Sequence, residues 1–195
     1  MFFPSKDSTS AVLLSLATFS IAFLSRPLGS AVFGHYGDKI GRKTTLVIAL
    51  LTMGVSTVSI GFLPSYASIG RAAPLLLMFC RFGQGVGLGG EWGGAVLLAI
   101  ENARPNKRAW YGMFPQLRDP IGLLLSGGTF LVLTDTMSAD AFLDYGWRIP
   151  FIASSLLVVV GFFIRLKITE TPAFENSKKE QEELKIPFFY FIKIL

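Results

Sequence analysis

Long apolar stretches alternate with short polar connections along most of the chain. Residues 11–33, 44–63, 74–100, 110–133 and 147–166 each hold about the twenty apolar positions that a helix needs to cross hydrocarbon. The first carries one charge, Arg26, and the second carries none. The third contains Arg81 and Glu91, the fourth is interrupted by Arg118, Asp119 and Pro120, and the fifth has Arg148 at its start. A helix of a soluble protein is seldom apolar on every face, and five in succession would be hard to bury in water. The pattern therefore predicts an all-α membrane protein of five transmembrane helices.

The polar connections predict the orientation. Residues 35–43 contain Lys39, Arg42 and Lys43, residues 101–109 contain Arg104, Lys107 and Arg108, and Arg165, Lys167, Lys178 and Lys179 follow the fifth stretch. The intervening connections hold only Arg71 in one case and Asp135, Asp140 and Asp144 in the other. Basic residues at every second connection mark the cytoplasmic side. The N-terminus is expected outside, and the tail after the fifth span inside, in a multi-pass protein of the plasma (inner) membrane. Two regions follow: a helical bundle over residues 1–168, and residues 169–195 as a cytoplasmic surface helix or linker that runs into a further apolar segment.

Composition strengthens this picture. Only 16% of the 195 residues are charged and 51% are hydrophobic, with mean hydropathy +0.53. Soluble domains usually carry about 25% charged residues. The net charge of +5 would suit nucleic acid. The basic residues sit between apolar runs, however, where topology requires them, so lipid is the expected partner and nucleic acid is not. Residues 1–10 show no basic region followed by an apolar core and cleavage site, so no signal peptide is expected. One cysteine, Cys80, inside an apolar run, is expected to be a small packing residue. Histidine is the residue type suited to pH sensing, but the one histidine, His35, is expected to be an ordinary connection residue. One His and one Cys make no metal cluster, and no G-x-x-x-x-G-K-[ST] loop suggests a nucleotide-driven motor.

The most specific signal is Gly34-His35-Tyr36-Gly37-Asp38-Lys39-Ile40-Gly41-Arg42-Lys43. Two membrane helices must reverse here in few residues, and glycines supply backbone angles that other residues resist. Asp38 suits a helix N-terminus, and Arg42 and Lys43 hold the connection inside. In the third span Gly85, Gly89 and Gly93 recur every fourth residue, a spacing that lets helices approach closely. Arg81 and Glu91 are expensive in lipid, about 2.5–3.5 kcal/mol each on insertion scales. They stand about 280° apart around the helix and so need different partners. Gln84 is placed to neighbour either. Arg26 either snorkels toward the cytoplasm or faces an anion.

These patterns resemble a known family. Residues 34–43 are similar to the G-x-x-G-D-x-x-G-R-K/R connection of the major facilitator superfamily, between its second and third helices. Arg81-Phe82-Gly83-Gln84-Gly85-Val86-Gly87 is similar to its R-x-x-Q-G-x-G motif. Arg26-Pro27-Leu28-Gly29, Gly89-Gly90-Glu91-Trp92-Gly93-Gly94, Gly146-Trp147-Arg148-Ile149-Pro150-Phe151 and Glu170-Thr171-Pro172-Ala173-Phe174 look like the metabolite/proton symporters, the group with shikimate, α-ketoglutarate, citrate and proline/betaine porters. The resemblance implies that the five spans are helices two to six of a half-transporter, with the first helix and the second half outside this sequence. A natural truncation, a degraded gene or a misplaced start codon would each explain that register. It implies a proton-coupled symporter of a small, polar, anionic metabolite, not an enzyme. Transport would work by alternating access, without a cofactor, driven by a proton gradient. The missing second half or another copy of the chain would then be needed as partner. It further implies a gating role for Gly34, Gly37, Asp38, Gly41, Arg42 and Lys43, and for Arg81 a part in proton coupling or conformational change; a structural ion pair is the alternative.

One position departs from the resemblance. Relatives usually place small residues where Arg118 and Asp119 stand. Neighbouring positions on a regular helix do not face each other, so pairing of the two is expected only if Pro120 breaks the helix. The two residues mark either a polar site lining the cavity or a lineage no longer selected for transport. In the latter case the chain would be a non-transporting remnant or an interaction protein.

Overall fold

The computed structural model describes residues 2–3 and 8–167; the tail expected over residues 169–195 lies outside them. Among the described residues there is no strand, and five long helices account for most of the chain. They are α1 (Ser8–Ile40), α2 (Arg42–Phe62), α4 (Ala72–Glu101), α5 (Arg108–Thr136) and α7 (Arg148–Lys167), with short turns α3 (Tyr66–Ile69) and α6 (Ala139–Ala141) between them. Helices are what such sequences must form in lipid, because each backbone N–H and C=O is then satisfied within its own segment. Pro27 in α1 and Pro115 and Pro120 in α5 each remove one such bond, and membrane helices tolerate this where neighbouring groups or a local adjustment re-satisfy the freed carbonyl.

α4 forms the centre, packed along α1 on one side and α2 on another; α2 in turn packs on α7, and α5 leans on α4. The α1–α4 contact is backbone on backbone. A Cβ added to Gly85 would lie 2.1 Å from Ala22 O, and one on Gly89 would lie 2.1 Å from Arg26 O. On the other helix, a Cβ on Gly29 would lie 2.1 Å from Val86 O. Gly93 differs from the expectation for the stripe: nothing lies within 4 Å of a Cβ placed there. Away from the Gly41 turn, Ile60, Leu63, Leu77, Cys80 and Trp147 bury one another, and Phe2 meets Trp147 edge to face at 5.4 Å. Cys80 thus packs as expected. Neither α5 nor α7 contributes a buried residue to its long helix, and Leu123, Leu124 and Leu131 are each at least 70% exposed. Leucines so exposed suit acyl chains and not water.

Two expectations change. The connection at residues 34–43 is helical up to Ile40, and the reversal is made by Gly41 alone, at φ 99°. Gly34 and Gly37 are ordinary helical residues; Gly37 is buried close to Thr45 of α2. Asp38 therefore stands in the last turn of α1, not at a helix N-terminus; its side chain lies outside the described residues. His35, exposed, also belongs to α1 and meets Tyr36 edge to face. The second change concerns the fourth stretch. Among the described residues, four helices are long and apolar enough to cross a membrane, over residues 9–37, 42–62, 72–101 and 148–167. The 29 residues of α5 are long enough, but α5 is not among these four. Its charges at Arg118 and Asp119 lower its apolarity.

Candidate functional site

At the end of the bundle marked by Gly41, charged side chains cross between helices. Arg42 Nη1 pairs with Glu101 Oε1, tying the start of α2 to the end of α4. Lys43 Nζ donates to Leu166 O at 2.7 Å, meeting a carbonyl of the last turn of α7, where a cation is favoured. Arg165 Nη2 pairs with Glu91 Oε1, and its Nη1 donates to Leu46 O at 3.1 Å. Glu91, only 7% exposed, thus has a cation partner on another helix, distinct from Arg81 as the helical geometry required. Arg165 is a correction. Its place at the end of an apolar stretch suggested a residue that sets topology, whereas its guanidinium turns into the bundle. The signal was Glu91 itself, since a buried acid in a membrane helix needs a cation.

Deeper in the bundle, Arg81 Nη1 donates to Gln84 Oε1 at 3.1 Å, one turn along α4. Gln84 Nε2 donates to Thr57 Oγ1 of α2 at 2.7 Å, and Thr57 donates to Met53 O. The Arg81 guanidinium lies over the Phe19 ring of α1, 4.3 Å from its centroid. Gln84 therefore neighbours Arg81 and not Glu91. Thr57, which nothing in the pattern of residues singled out, completes a polar chain between α4 and α2, with the Phe19 ring of α1 stacked on its arginine.

The third constellation lines a cleft of about 270 Å³ between α1, α4 and α5. Arg26 and Ser30 come from α1, Leu88 and Trp92 from α4, and Arg118 and Asp119 from α5. Arg118 Nε donates to Asp119 Oδ1 at 3.0 Å. This happens within an unbroken α5, contrary to the expectation that a break was required; the long arginine side chain folds along the helix surface to its neighbour. Arg26 lies over the Phe23 ring at 4.2 Å, and its Nε is buried with no hydrogen-bond partner. Ser30 Oγ donates to Gly89 O at 2.9 Å, which fixes the cleft wall where α1 and α4 touch. A second cavity, also of about 270 Å³, opens beside Phe33, Gly34, Gly37, Arg42 and Gly93.

The candidate residues thus fall into separate places. Arg26, Arg118 and Asp119 come together, Arg81 and Gln84 form another cluster, and Glu91 belongs to the charged end with Arg42 and Lys43. Apolar outer faces, with charges gathered at the helix ends and in internal clefts, define a membrane-spanning helical bundle.

Comparison with known proteins agrees. The sugar (and other) transporter family matches residues 1–186. The inner membrane metabolite transport protein YhjE of Escherichia coli K12 is 59% identical over 187 residues, 96% of this chain and 42% of that protein. The shikimate transporter of the same organism is 42% identical over 184 residues, 94% of this chain and 42% of its own length. The fold is similar to that of the xylose transporter XylE from E. coli in a partially occluded inward-open conformation. There the TM-score is 0.80 at 20% identity, covering 93% of this chain and 44% of that one. The chain belongs to the sugar (and other) transporter family, within the major facilitator superfamily, and is not an enzyme. It spans less than half the length of these relatives.

Proposed function

We propose that this chain forms five membrane helices, the second to sixth, of one bundle of a proton-coupled symporter for a small, polar, anionic metabolite. The bundle works by alternating access against a second bundle, or against another copy of the chain, around a site near the bilayer midplane. The observation that carries this reading is the cleft holding Arg26 and Arg118, with a buried Arg26 N–H that has no partner. Two guanidinium groups lining one cleft suit a substrate carboxylate, which arginine holds through charge-assisted hydrogen bonds. Similarity to a shikimate transporter and to a metabolite transport protein supports a small polar cargo.

The proton gradient supplies the drive and no cofactor is needed. The basic end, with Lys39, Arg42, Lys43, Arg104, Lys107, Arg108 and Lys167, faces the cytoplasm, and the N-terminus faces outward. Gly34, Gly37, Asp38, Gly41, Arg42 and Lys43 serve the cytoplasmic gate, while Arg81 and Gln84 serve coupling or conformational change.

The test uses the full open reading frame that carries this chain, reconstituted in liposomes. Saturable accumulation of shikimate, α-ketoglutarate or citrate, increased by an inward proton gradient and lost in Arg26→Ala, is the expected result. No saturable, pH-driven uptake of any of these, with the protein folded in the bilayer, would leave a non-transporting membrane protein as the reading.

A further inference from the structure

Two cavities lie end to end along α1 and α4. The cleft takes Arg26 and Ser30 from α1 and Leu88, Gly89 and Trp92 from α4. Further toward Gly41, the second cavity takes Phe33, Gly34 and Gly37 from α1 and Gly93, Gly94 and Leu97 from α4. Ser30, Gly89 and Trp92 line both, so these three residues form the wall between them. Two of the three are fixed. Ser30 Oγ donates to Gly89 O at 2.9 Å, and Gly89 lies so close to α1 that an added Cβ would meet Arg26 O. Trp92 is the part of the wall that can move. Its side chain is 52% exposed, and among the described residues no hydrogen bond or ring contact pins it. Space is open beside it, since a Cβ placed on Gly93 would meet nothing within 4 Å. Small-molecule sites usually measure about 300–1,000 Å³. Each cavity, at about 270 Å³, falls short of that range alone, and joined they fall within it.

We propose that the Trp92 indole is a swinging partition across the path of the transported anion, and that its swing limits the rate of passage. The inference rests on the reading of the chain as an anion porter and adds the side chain that divides the path. With the ring in the wall, an anion in the cleft beside Arg26 and Arg118 is separated from the cavity lined by Arg42. When the ring turns into the space beside Gly93, the two cavities become one. The anion then finds arginine on both sides of the wall, and charge-assisted hydrogen bonds are on offer at each end of the step. No covalent bond changes. The swing also leaves untouched the contacts that hold α4 to its neighbours, because Trp92 takes part in none of them: Gly89 meets α1, Gln84 meets α2 and Glu91 meets α7.

The experiment measures exchange of labelled substrate across liposomes that hold the full open reading frame, with no pH gradient. The substrate is whichever of shikimate, α-ketoglutarate and citrate is carried fastest, and size exclusion checks that each variant is folded. Gly93→Leu fills the space that receives the ring. It should slow maximal exchange about tenfold at unchanged KM, the order expected for one overpacked side chain. Trp92→Ala removes the partition and should raise the maximal rate severalfold, also at unchanged KM. In Trp92→Ala/Gly93→Leu the leucine has no ring to obstruct, so exchange should return at least to the wild-type rate, a non-additivity that two independent packing defects do not give. Should Gly93→Leu fail to fold, Trp92→Ala decides alone. A maximal rate in Trp92→Ala no higher than wild type, or Gly93→Leu equally slow with and without the ring, overturns the partition and leaves the porter reading intact. A wild type that exchanges none of the three anions overturns the porter reading first.

Discussion

The ion pair between Glu91 and Arg165 gives the sharpest test of the packing. Glu91 is 7% exposed, and one of its carboxylate oxygens has only Arg165 as partner while the other has none. Arg165→Ala leaves that carboxylate buried and uncompensated. Breaking a buried pair by removing one member costs about 3–5 kcal/mol. The same change removes a hydrogen bond to Leu46 O, a contribution of about 1 kcal/mol. Against a total stability of about 5–15 kcal/mol, a loss of this size lowers the folded fraction visibly. Glu91→Gln should cost a comparable amount, now by stranding the guanidinium. The double variant Glu91→Gln/Arg165→Gln leaves no buried charge and should recover at least half of the loss. Stability is read by SDS titration of the protein in dodecyl maltoside, following the fluorescence of Trp92, Trp110 and Trp147. Single variants within about 1 kcal/mol of wild type, or a double variant as unstable as the sum of the singles, would refute the argument.

Four further outcomes are expected. Gly89→Ala should prevent close approach of α1 and α4 and sharply reduce folded protein, because the new Cβ meets Arg26 O at 2.1 Å, whereas Gly93→Ala should be nearly neutral; fluorescence-detected size exclusion compares the two. Ser68→Cys should react with an impermeant thiol reagent on intact cells and Lys39→Cys should not, and the reverse would invert the topology. In the complete porter, Asp38→Asn should nearly abolish uptake per molecule while membrane abundance stays high; near-normal uptake would reduce Asp38 to a turn residue. The 195-residue chain expressed alone should show no saturable, pH-driven uptake in liposomes, and uptake accompanied by no cross-linked dimer would contradict the need for a second bundle.

The helices were legible because lipid imposes a length and an apolarity that few other contexts require, and the alternation of basic residues is equally coarse. What composition could not reveal was the address of each partner. Glu91 announced a need for a cation, but Arg165 stands 74 positions away and at the end of a span, where arginine usually marks topology. Gly34 and Gly37 looked like turn residues because glycine permits turns, yet glycine does not compel them, and in lipid the helix continues until Gly41. Arg118 and Asp119 were judged by the directions of their Cα–Cβ bonds, while the pairing depends on the reach of a long side chain. The glycine stripe was read from spacing alone, so Gly93 was grouped with Gly85 and Gly89; only the crossing of α1 over α4 decides where the stripe is covered.

The placement of these groups around α4 bears on how the proposed transporter moves. Gly89 faces α1, and Glu91, two residues on and about 200° around the helix, reaches α7. Arg81 and Gln84 engage α1 and α2. Any rotation or sliding of α4 against its neighbours would therefore disturb the backbone contact at Arg26 O, the polar chain to Thr57 and the buried pair with Arg165 together. The pair alone would cost about 3–5 kcal/mol if left half made. Lys43 at Leu166 O and Arg42 at Glu101 add ties from α2 to α7 and α4 at the basic end. None of these contacts is disturbed if the bundle tilts as a block. α5 is held differently: it buries no residue, and the charged pair it brings to the cleft forms within α5 itself. The cleft thus has one wall fixed by α1 and α4 and one wall on a lightly held helix. Rigid-block motion of the bundle, with local adjustment confined to α5, is the change of access that breaks the fewest buried contacts.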